Sequence, residues 1–359
     1  MEQSNDIFRM LEMMERPGFC VKDHRVVSVN AAAGKYLAPG DSVDPYLRTG
    51  LKEYGAFCQG CLYLTLFLAE QTWGASVRRI GEYDVFLLEQ EADQAELRAM
   101  ALAARELREP LSNVMTTADR LFPLSALQDD PATQDLTARL NRGLFQMLRV
   151  ICNMSDANRY TTTTSSQEVM DINAFLREVF EKVGALVPHT GITLTYSGLE
   201  SPVFCLVDQE KLERAVLNIV SNAIKFSHRG GAIRAGLARR ENMLYLTVED
   251  TGDGLSDSVR GSVHQRYLRQ PAIEDGRFGI GLGMVLIRTA AALHGGTVLI
   301  DQPGERGTRI TMTLQIRKNT ESMVRSPVLQ VDYAGGRDRG LIELSDCLPA
   351  EAYNPENPS

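Results

Sequence analysis

Residues 1–92 begin with a short helical stretch and then alternate apolar and polar side chains with the two-residue period of β-strands. The stretches 19–21 and 26–29 flank a polar turn, a pattern that predicts a hairpin. Three more strand-like stretches follow later, separated by brief polar turns: 61–70, 72–80 and 83–89. Two early strands, a helical middle and three consecutive late strands predict a small α+β domain.

From about residue 93 the apolar period lengthens to that of coiled-coil helices, first up to about 122 and again up to about 159. The two apolar stripes comprise Leu97, Met100, Ala104, Leu107, Leu111, Val114, Ala118 and Leu121, then Leu136, Leu140, Leu144, Met147, Ile151 and Met154. Two such helices with a short connection predict an antiparallel hairpin over 93–160. Because one hairpin gives its stripe a single neighbour, we expect two chains to close a four-helix bundle as a homodimer.

A linker rich in threonine and serine, 161–166, precedes residues 167–318, where predicted helices and strands alternate. This alternation predicts a mixed α/β layer domain. The remaining residues, 319–359, contain two apolar stretches, 328–333 and 341–344, that predict a hairpin. An extra hairpin on the preceding domain and a partner-docking segment are equally compatible with this tail.

Composition narrows the class of protein. A chain of 359 residues favours two or three domains. A net charge of −8 argues against binding nucleic acid through bulk electrostatics. The sequence has no apolar run near the ~18 residues of a membrane helix and begins with a polar, acidic stretch, so we expect no membrane partner and no secretory signal. Six cysteines at irregular spacings favour a reducing cytoplasm.

Three segments of the 167–318 region carry candidate chemistry. On a predicted helix, Asn218, Asn222 and Lys225 fall within a narrow arc. Carboxamide oxygens suit Mg²⁺ and a lysine suits a phosphate. Asp250 follows an apolar strand, where its carboxylate can accept a hydrogen bond from an exocyclic amine such as that of adenine.

Glycines surround these polar side chains. Gly252 and Gly254 follow Asp250 and let a backbone approach a ligand closely, and three alternating glycines precede an apolar helix whose N-terminus favours an anion. These three are Gly279, Gly281 and Gly283. Each segment alone is weak evidence, but three in this order within 66 residues, 218–283, predict a nucleotide site.

The three segments resemble the N, G1 and G2 boxes of the ATP-binding domain of sensor histidine kinases. His294-Gly295-Gly296 and Gly307-Thr308 are similar to later landmarks of that family. The resemblance covers roughly 170–316 and implies a Bergerat-type α/β sandwich that binds ATP and Mg²⁺. It further implies a lid over 255–278, in which Arg266 or Arg269 meets a phosphate, with a solvated Arg269 as the open alternative.

The resemblance also implies a role for each polar side chain. Asp250 reads the adenine amine, Asn222 holds Mg²⁺ and Lys225 contacts a phosphate. Asn218 lies beside the phosphates, where the family places a polar residue important to transfer, and is the catalytic candidate.

The hairpin sequence 104–111 resembles the phosphoacceptor box of the same kinases, but Arg105 stands where that family has its phosphoacceptor histidine. A guanidinium stays protonated and has no lone pair to attack a γ-phosphorus. The five histidines, at 24, 189, 228, 264 and 294, all lie outside 93–160. We therefore expect no autophosphorylation at the usual position. Arg105 itself is either a solvated charge or a cation that clamps the γ-phosphate.

The N-terminal stretch resembles a PAS sensor domain, through Gly18-Phe19-Cys20-Val21 and Val29-Asn30-Ala31-Ala32. Together the resemblances imply a cytoplasmic signalling protein with a PAS-like domain over 1–92, a degenerate phosphoacceptor hairpin over 93–160 and an ATP-binding domain over 167–318. A regulatory pseudokinase that acts on a response regulator or a partner kinase is the first hypothesis. The alternatives are a kinase that phosphorylates a partner chain or an unusual acceptor, and an ATPase.

Two further features have simpler interpretations. His294 precedes two glycines where a helix should end, so a C-terminal capping role is favoured over catalysis. Cys58 and Cys61 have the spacing of a redox or metal pair, but ordinary, partly buried thiols are favoured.

Overall fold

The computed structural model describes residues 2–14, 16–47, 49–88, 92–121, 131–162, 167–254, 282–304, 306–317 and 337–354. In the N-terminal domain the predicted strands form an antiparallel sheet of order β2-β1-β5-β4-β3. Side chains from this sheet form a hydrophobic core, in which Phe19, Leu66 and Phe86 are fully buried. The elements are α1 (Glu2–Glu12), β1 (Gly18–Lys22), β2 (Arg25–Val29), α2 (Leu51–Gly55), β3 (Cys61–Leu68), β4 (Gln71–Ile80) and β5 (Tyr83–Leu88).

Two long helices follow and pack against each other, α3 (Ala92–Leu121) and α4 (Pro131–Thr162). The apolar stripe of α3 divides between two environments. Ala104, Leu111 and Ala118 are buried, whereas Leu107, Val114 and Leu121 are 50%, 52% and 67% exposed. These three buried side chains of the α3 stripe therefore pack inside the hairpin, and the three exposed ones lie on its surface.

The third domain places helices on one face of a sheet, as the alternating pattern predicts. Its strands bury every second side chain, such as Leu244, Leu246 and Val248. The sheet strands are β7 (Thr193–Ser197), β9 (Ala232–Arg240), β10 (Met243–Asp250), β11 (Val298–Asp301) and β12 (Arg309–Gln315), and the helices are α5 (Ile172–Leu186), α6 (Gln209–Phe226) and α7 (Leu282–Leu293). A separate pair, β6 (Glu168–Asp171) and β8 (Phe204–Val207), was not predicted, because four residues carry too little periodicity.

The two sheets join edge to edge. β3 pairs antiparallel with β11, which places Tyr63 opposite Val298 and Cys61 opposite Ile300, so that ten strands run continuously from β2 to β7. Gly60 comes directly before β3 at φ +89°, and a Cβ built there would lie 2.1 Å from the carbonyl oxygen of Ile300. The close approach of the two domains therefore requires a glycine at this position.

The predicted strand at 341–344 is wrong. Residues Arg339–Glu343 form a short helix, α8, because Asp338 accepts a hydrogen bond from the Leu341 N–H at its start. A 3₁₀ turn, Ala350–Tyr353, follows. The other predicted strand, 328–333, lies outside the described residues. Within the described ranges, every helix is too short or too polar to cross a bilayer.

Candidate functional site

Asp250 is the last residue of β10, and its side chain is 6% exposed. Its Oδ1 accepts hydrogen bonds from the N–H groups of Gly252 and Thr308, at 2.9 and 3.2 Å. Burial raises the pKa of Asp250, while the two N–H donors act in the opposite direction. The second oxygen, Oδ2, has no hydrogen-bond partner among the described residues. Asp250 thus offers Oδ2 as an acceptor whose position is fixed by the bonds to Oδ1.

The turn after Asp250 presses against the end of α6. A Cβ built on Gly252 would lie 2.0 Å from the carbonyl oxygen of Phe226, so only glycine allows this approach. Gly254 follows at φ +77°. This packing brings Asp250 beside the helix that carries the predicted polar arc.

Asp208 directly precedes helix α6 and caps it, because its side chain accepts a hydrogen bond from the Lys211 N–H. Val216, Val220 and Ala223 face the core, as the sequence pattern predicts. On the polar side, Asn218 is buried, whereas Asn222 and Lys225 are half-buried. The amide of Asn222 makes no hydrogen bond to any residue that the structure describes, so it is available to a ligand.

Asn218 lies where three elements meet. A Cβ built on Gly283, at the start of α7, would lie 2.9 Å from Asn218 Oδ1. On its other side, Asn218 Nδ2 donates to the carbonyl oxygen of Arg214 at 2.8 Å and to Glu343 Oε2 at 3.2 Å. The C-terminal segment therefore reaches the predicted nucleotide helix.

Acidic residues of the C-terminal segment also engage the basic side chains of this region. Lys225 Nζ donates to Asp346 Oδ2 at 2.9 Å. Glu343 is 2% exposed and lies between Arg214, whose Nε is 2.8 Å from Oε1, and Arg149 of α4, whose Nε is 3.4 Å from Oε2. Each buried charge is thereby paired.

Three members of this site were not predicted from the sequence: Glu343, Asp346 and Arg149. One signal was present: Glu343 interrupts the apolar stretch 341–344. An acidic side chain that is buried with apolar neighbours requires a cation, but the sequence does not show which cation supplies the pair.

The described part of the site fits Mg²⁺ through Asn222. Mg²⁺ takes oxygen ligands, keeps several waters and draws the remaining oxygens from nucleotide phosphates, so one amide oxygen from the chain is a sufficient contribution. Gly279 and Gly281 lie outside the described residues, as do Arg266 and Arg269 of the expected lid. Within the described ranges, no three His, Cys, Asp or Glu side chains converge to hold a metal.

Arg105 lies on the outer side of α3. The preceding residue, Ala104, is fully buried, whereas Arg105 is exposed. The position that resembles the phosphoacceptor thus faces away from the hairpin interior and carries a guanidinium.

His294 has a structural role. It is 2% exposed, its Nδ1–H donates to the Ala290 carbonyl oxygen at 2.7 Å, and its Nε2 accepts from the Asp208 N–H at 3.0 Å. The imidazole therefore connects the end of α7 to the start of α6. Cys58 is exposed and Cys61 is buried, and the two cysteines are not joined in a disulfide.

Comparison with known proteins indicates the class of the third domain. Residues 207–318 match the family described as histidine kinase-, DNA gyrase B-, and HSP90-like ATPase. An uncharacterised sensor-like histidine kinase of Rhizobium meliloti is 27% identical over 274 residues, which are 72% of this chain and 52% of that protein. The histidine protein kinase DivJ of Caulobacter vibrioides is 30% identical over 243 residues, 62% of this chain and 40% of DivJ. The chain thus spans about half or less of these relatives.

A solved structure, full-length ShkA in complex with AMPPNP, shares the fold with a TM-score of 0.50 at 20% identity, covering 62% of this chain and 46% of that one. The third domain is therefore a histidine kinase-like ATP-binding α/β domain, as expected, and the chain is similar to sensor histidine kinases over 62–72% of its length.

Proposed function

We propose that this chain is a dimeric regulatory pseudokinase: it binds MgATP in the third domain and regulates a partner, a response regulator or another kinase, without phosphorylating itself at the usual position. The hydrogen bonding of Asp250 is the main support for nucleotide binding. Two backbone N–H groups hold its Oδ1, while Oδ2 remains available in a buried turn. Such a fixed, desolvated acceptor suits the exocyclic amine of adenine.

The polar side of α6 supplies the remaining contacts. Asn222, with its amide uncommitted, would hold Mg²⁺, which neutralises phosphate charge when bound. Lys225 would donate to a phosphate, and Asn218 lies one helical turn before Asn222, next to Gly283 at the start of α7. An N-terminus of this kind favours anionic groups.

The second half of the proposal, that the chain does not phosphorylate itself at the usual position, rests on Arg105. A guanidinium is a permanently charged group and has no lone pair available for attack on phosphorus. The hairpin would then transmit nucleotide occupancy as a change of shape. The antiparallel sheet of the N-terminal domain supports a PAS-like input domain.

Replacing Asp250→Asn tests nucleotide binding. The backbone N–H groups of Gly252 and Thr308 keep an oxygen at the Oδ1 position, so the new NH₂ takes the place of Oδ2 and faces the adenine amine, donor against donor. We expect a loss on the order of 2–4 kcal/mol, or roughly 30- to 1000-fold in affinity, measured by calorimetry with MgATP.

Asp253→Asn is the matched control, because its carboxylate is 70% exposed and pairs with His228 at the surface. Its affinity should equal that of the wild type. Equal affinities for Asp250→Asn and the wild type would place the adenine site elsewhere.

The fate of the γ-phosphoryl group separates a pseudokinase from an active enzyme. With γ-labelled ATP we expect the wild-type chain to take no acid-labile label, since Arg105 cannot accept it. Arg105→His should restore an acceptor, because Glu106 and Pro110 of the box are present. Acid-labile label on the wild-type chain alone would refute the pseudokinase. Label on an added partner only would indicate a kinase acting in trans, and free phosphate released at a rate lost in Asn218→Asp would indicate an ATPase.

A further inference from the structure

The C-terminal segment, residues 338–354, is folded onto the ATPase domain and the hairpin at once. Leu344 and Leu348 are fully buried, and the ring of Tyr353 packs 5.2 Å from that of Phe145 on α4. Side chains of α4 also donate to backbone carbonyl oxygens of the segment: Asn141 to Tyr353 at 3.3 Å, and Gln146 to Ser345 at 3.1 Å. The segment is thus bound as a peptide ligand would be.

Two of its four acidic side chains are directed at the polar side of α6. Glu343 accepts from Asn218, and Asp346 accepts from Lys225. Burial alone would raise the pKa of Asp346, yet the cations of Arg149 and Lys225 hold it below its usual value, so the carboxylate is charged at neutral pH. Carboxylate and phosphate oxygens are acceptors of the same kind for an ammonium or an amide N–H.

Arg149 extends the same network to the hairpin. Besides its ion pairs with Glu343 and Asp346, its Nη2 donates to Ser221 Oγ of α6 at 3.2 Å. Glu343 and Asp346 therefore neutralise one cation of α4, Arg149, together with two cations of α6, which fixes the hairpin against the ATPase domain.

We propose that residues 338–354 form an autoinhibitory segment: Glu343 and Asp346 occupy Asn218 and Lys225, so that the docked segment and the phosphates of a bound nucleotide exclude each other. Phosphate binding then releases the segment and, with it, the hairpin. The inference rests on the proposed function, since it takes Asn218 and Lys225 as phosphate-facing residues.

Competition predicts that the segment lowers the affinity for ATP, which carries phosphates, but not the affinity for the nucleoside adenosine, which carries none. A segment docked about nine-tenths of the time lowers the apparent affinity of a competing ligand about tenfold. Adenosine, which has no phosphate, would contact the Asp250 turn without meeting the segment. Weakening the segment should therefore raise affinity for ATP and leave affinity for adenosine unchanged.

Asp346→Asn in the full chain is the variant of choice. Its side chain is 25% exposed and the amide keeps its size, whereas replacing Glu343 would leave two buried arginines without their shared carboxylate. We expect about tenfold tighter MgATP binding by calorimetry and unchanged adenosine binding. Glu351→Gln, which removes an exposed carboxylate of the same segment, should bind both ligands as the wild type does.

Hydrogen exchange on the wild-type chain gives a measurement that needs no variant. The N–H groups of Leu344, Ser345 and Leu348 donate within the docked segment. Saturating MgATP should accelerate exchange over 341–348 by up to about tenfold, while saturating adenosine should not.

The proposal is overturned if the wild type binds ATP but exchange over 341–348 stays unchanged, or if Asp346→Asn leaves both affinities as they were. Affinities that fall in parallel would also overturn it, because they would show a purely structural segment. Failure of the wild type to bind either ATP or adenosine would instead refute the proposed function, and this inference with it.

Discussion

At the scale of single residues, His294 shows how burial fixes a protonation state. The Ala290 carbonyl oxygen requires a proton on Nδ1, and the Asp208 N–H requires a lone pair on Nε2, so the ring must be neutral. Burial lowers the pKa of His294, although the bond to Ala290 and the charge of Asp208 oppose this effect. A second proton would remove the acceptor that secures the start of α6.

This arrangement predicts a pH dependence of stability. Because the pKa of His294 is lower in the folded than in the unfolded chain, the unfolded chain binds more protons below about pH 6.5. The contribution of neutral His294 to the free energy of unfolding is fully present above that pH. It is lost as pH falls through the interval between the two pKa values, at up to about 1.4 kcal/mol per pH unit.

Urea unfolding of the wild type at pH 7.5 and 5.5 should show this loss. His294→Gln keeps an acceptor near the Nε2 position without titrating, so its stability should change less over the same interval. His228→Gln, at an exposed position, should retain the wild-type dependence. Identical pH profiles for all three proteins would contradict the assignment.

The residues that sequence analysis placed in the site were those with a local signature. Asp250 follows an apolar strand and precedes spaced glycines, and Asn222 lies on the polar arc of a helix, so both could be predicted from neighbouring residues. Glu343 was not, since its partner Asn218 is 125 residues away and no local pattern connects them.

At the scale of elements, periodicity predicted most helices and strands closely. The expected strand at 243–249 is β10, Met243–Asp250, and the expected helix at 209–227 is α6, Gln209–Phe226. The predicted strand at 341–344 failed because four apolar-rich residues fit a helix equally well, and the Asp338 cap decided the outcome. The pairing of β3 with β11 could not be predicted, because the two strands are more than 200 residues apart.

The junction between β3 and β11 depends on Gly60, and Gly60→Ala tests it. The added methyl would meet the Ile300 carbonyl oxygen and force the strands apart. We expect faster amide exchange in 61–63 and 298–300, and a loss of unfolding free energy on the order of 1–3 kcal/mol beyond that of the control.

Gly81→Ala is that control. Gly81 also has a positive φ, +61°, but a Cβ there would meet no atom within 4 Å. It shares the backbone cost of an alanine at positive φ without the clash. Equal destabilisation by the two variants would mean that the junction tolerates a side chain.

At the scale of the whole molecule, the outward half of the hairpin stripe supports the proposed homodimer. Leu107 and Leu140, which are 50% and 39% exposed, remain on the surface of a single chain. Pairing with a second hairpin would bury them, at roughly 1.5–3 kcal/mol for each fully covered leucine.

The double variant Leu107→Glu and Leu140→Glu should therefore be monomeric. Light scattering coupled to size exclusion should give twice the mass of 39.7 kDa for the wild type and the single mass for the variant. Asn113→Glu, which adds a charge at an already exposed polar position of α3, should remain dimeric. A wild-type mass of 39.7 kDa at micromolar concentration would contradict the dimer.

The pairing of β3 with β11 has a practical consequence for work on fragments. If the ATPase domain were separated from the N-terminal domain, Val298, Leu299 and Ile300 would lie on an exposed edge strand. Their outward backbone N–H and C=O groups would lose their partners in β3. Such edges recruit strands from other molecules, so the fragment should tend to self-associate or precipitate in a way that the intact chain does not. Aggregation of the fragment would then report a missing neighbour rather than an unstable fold.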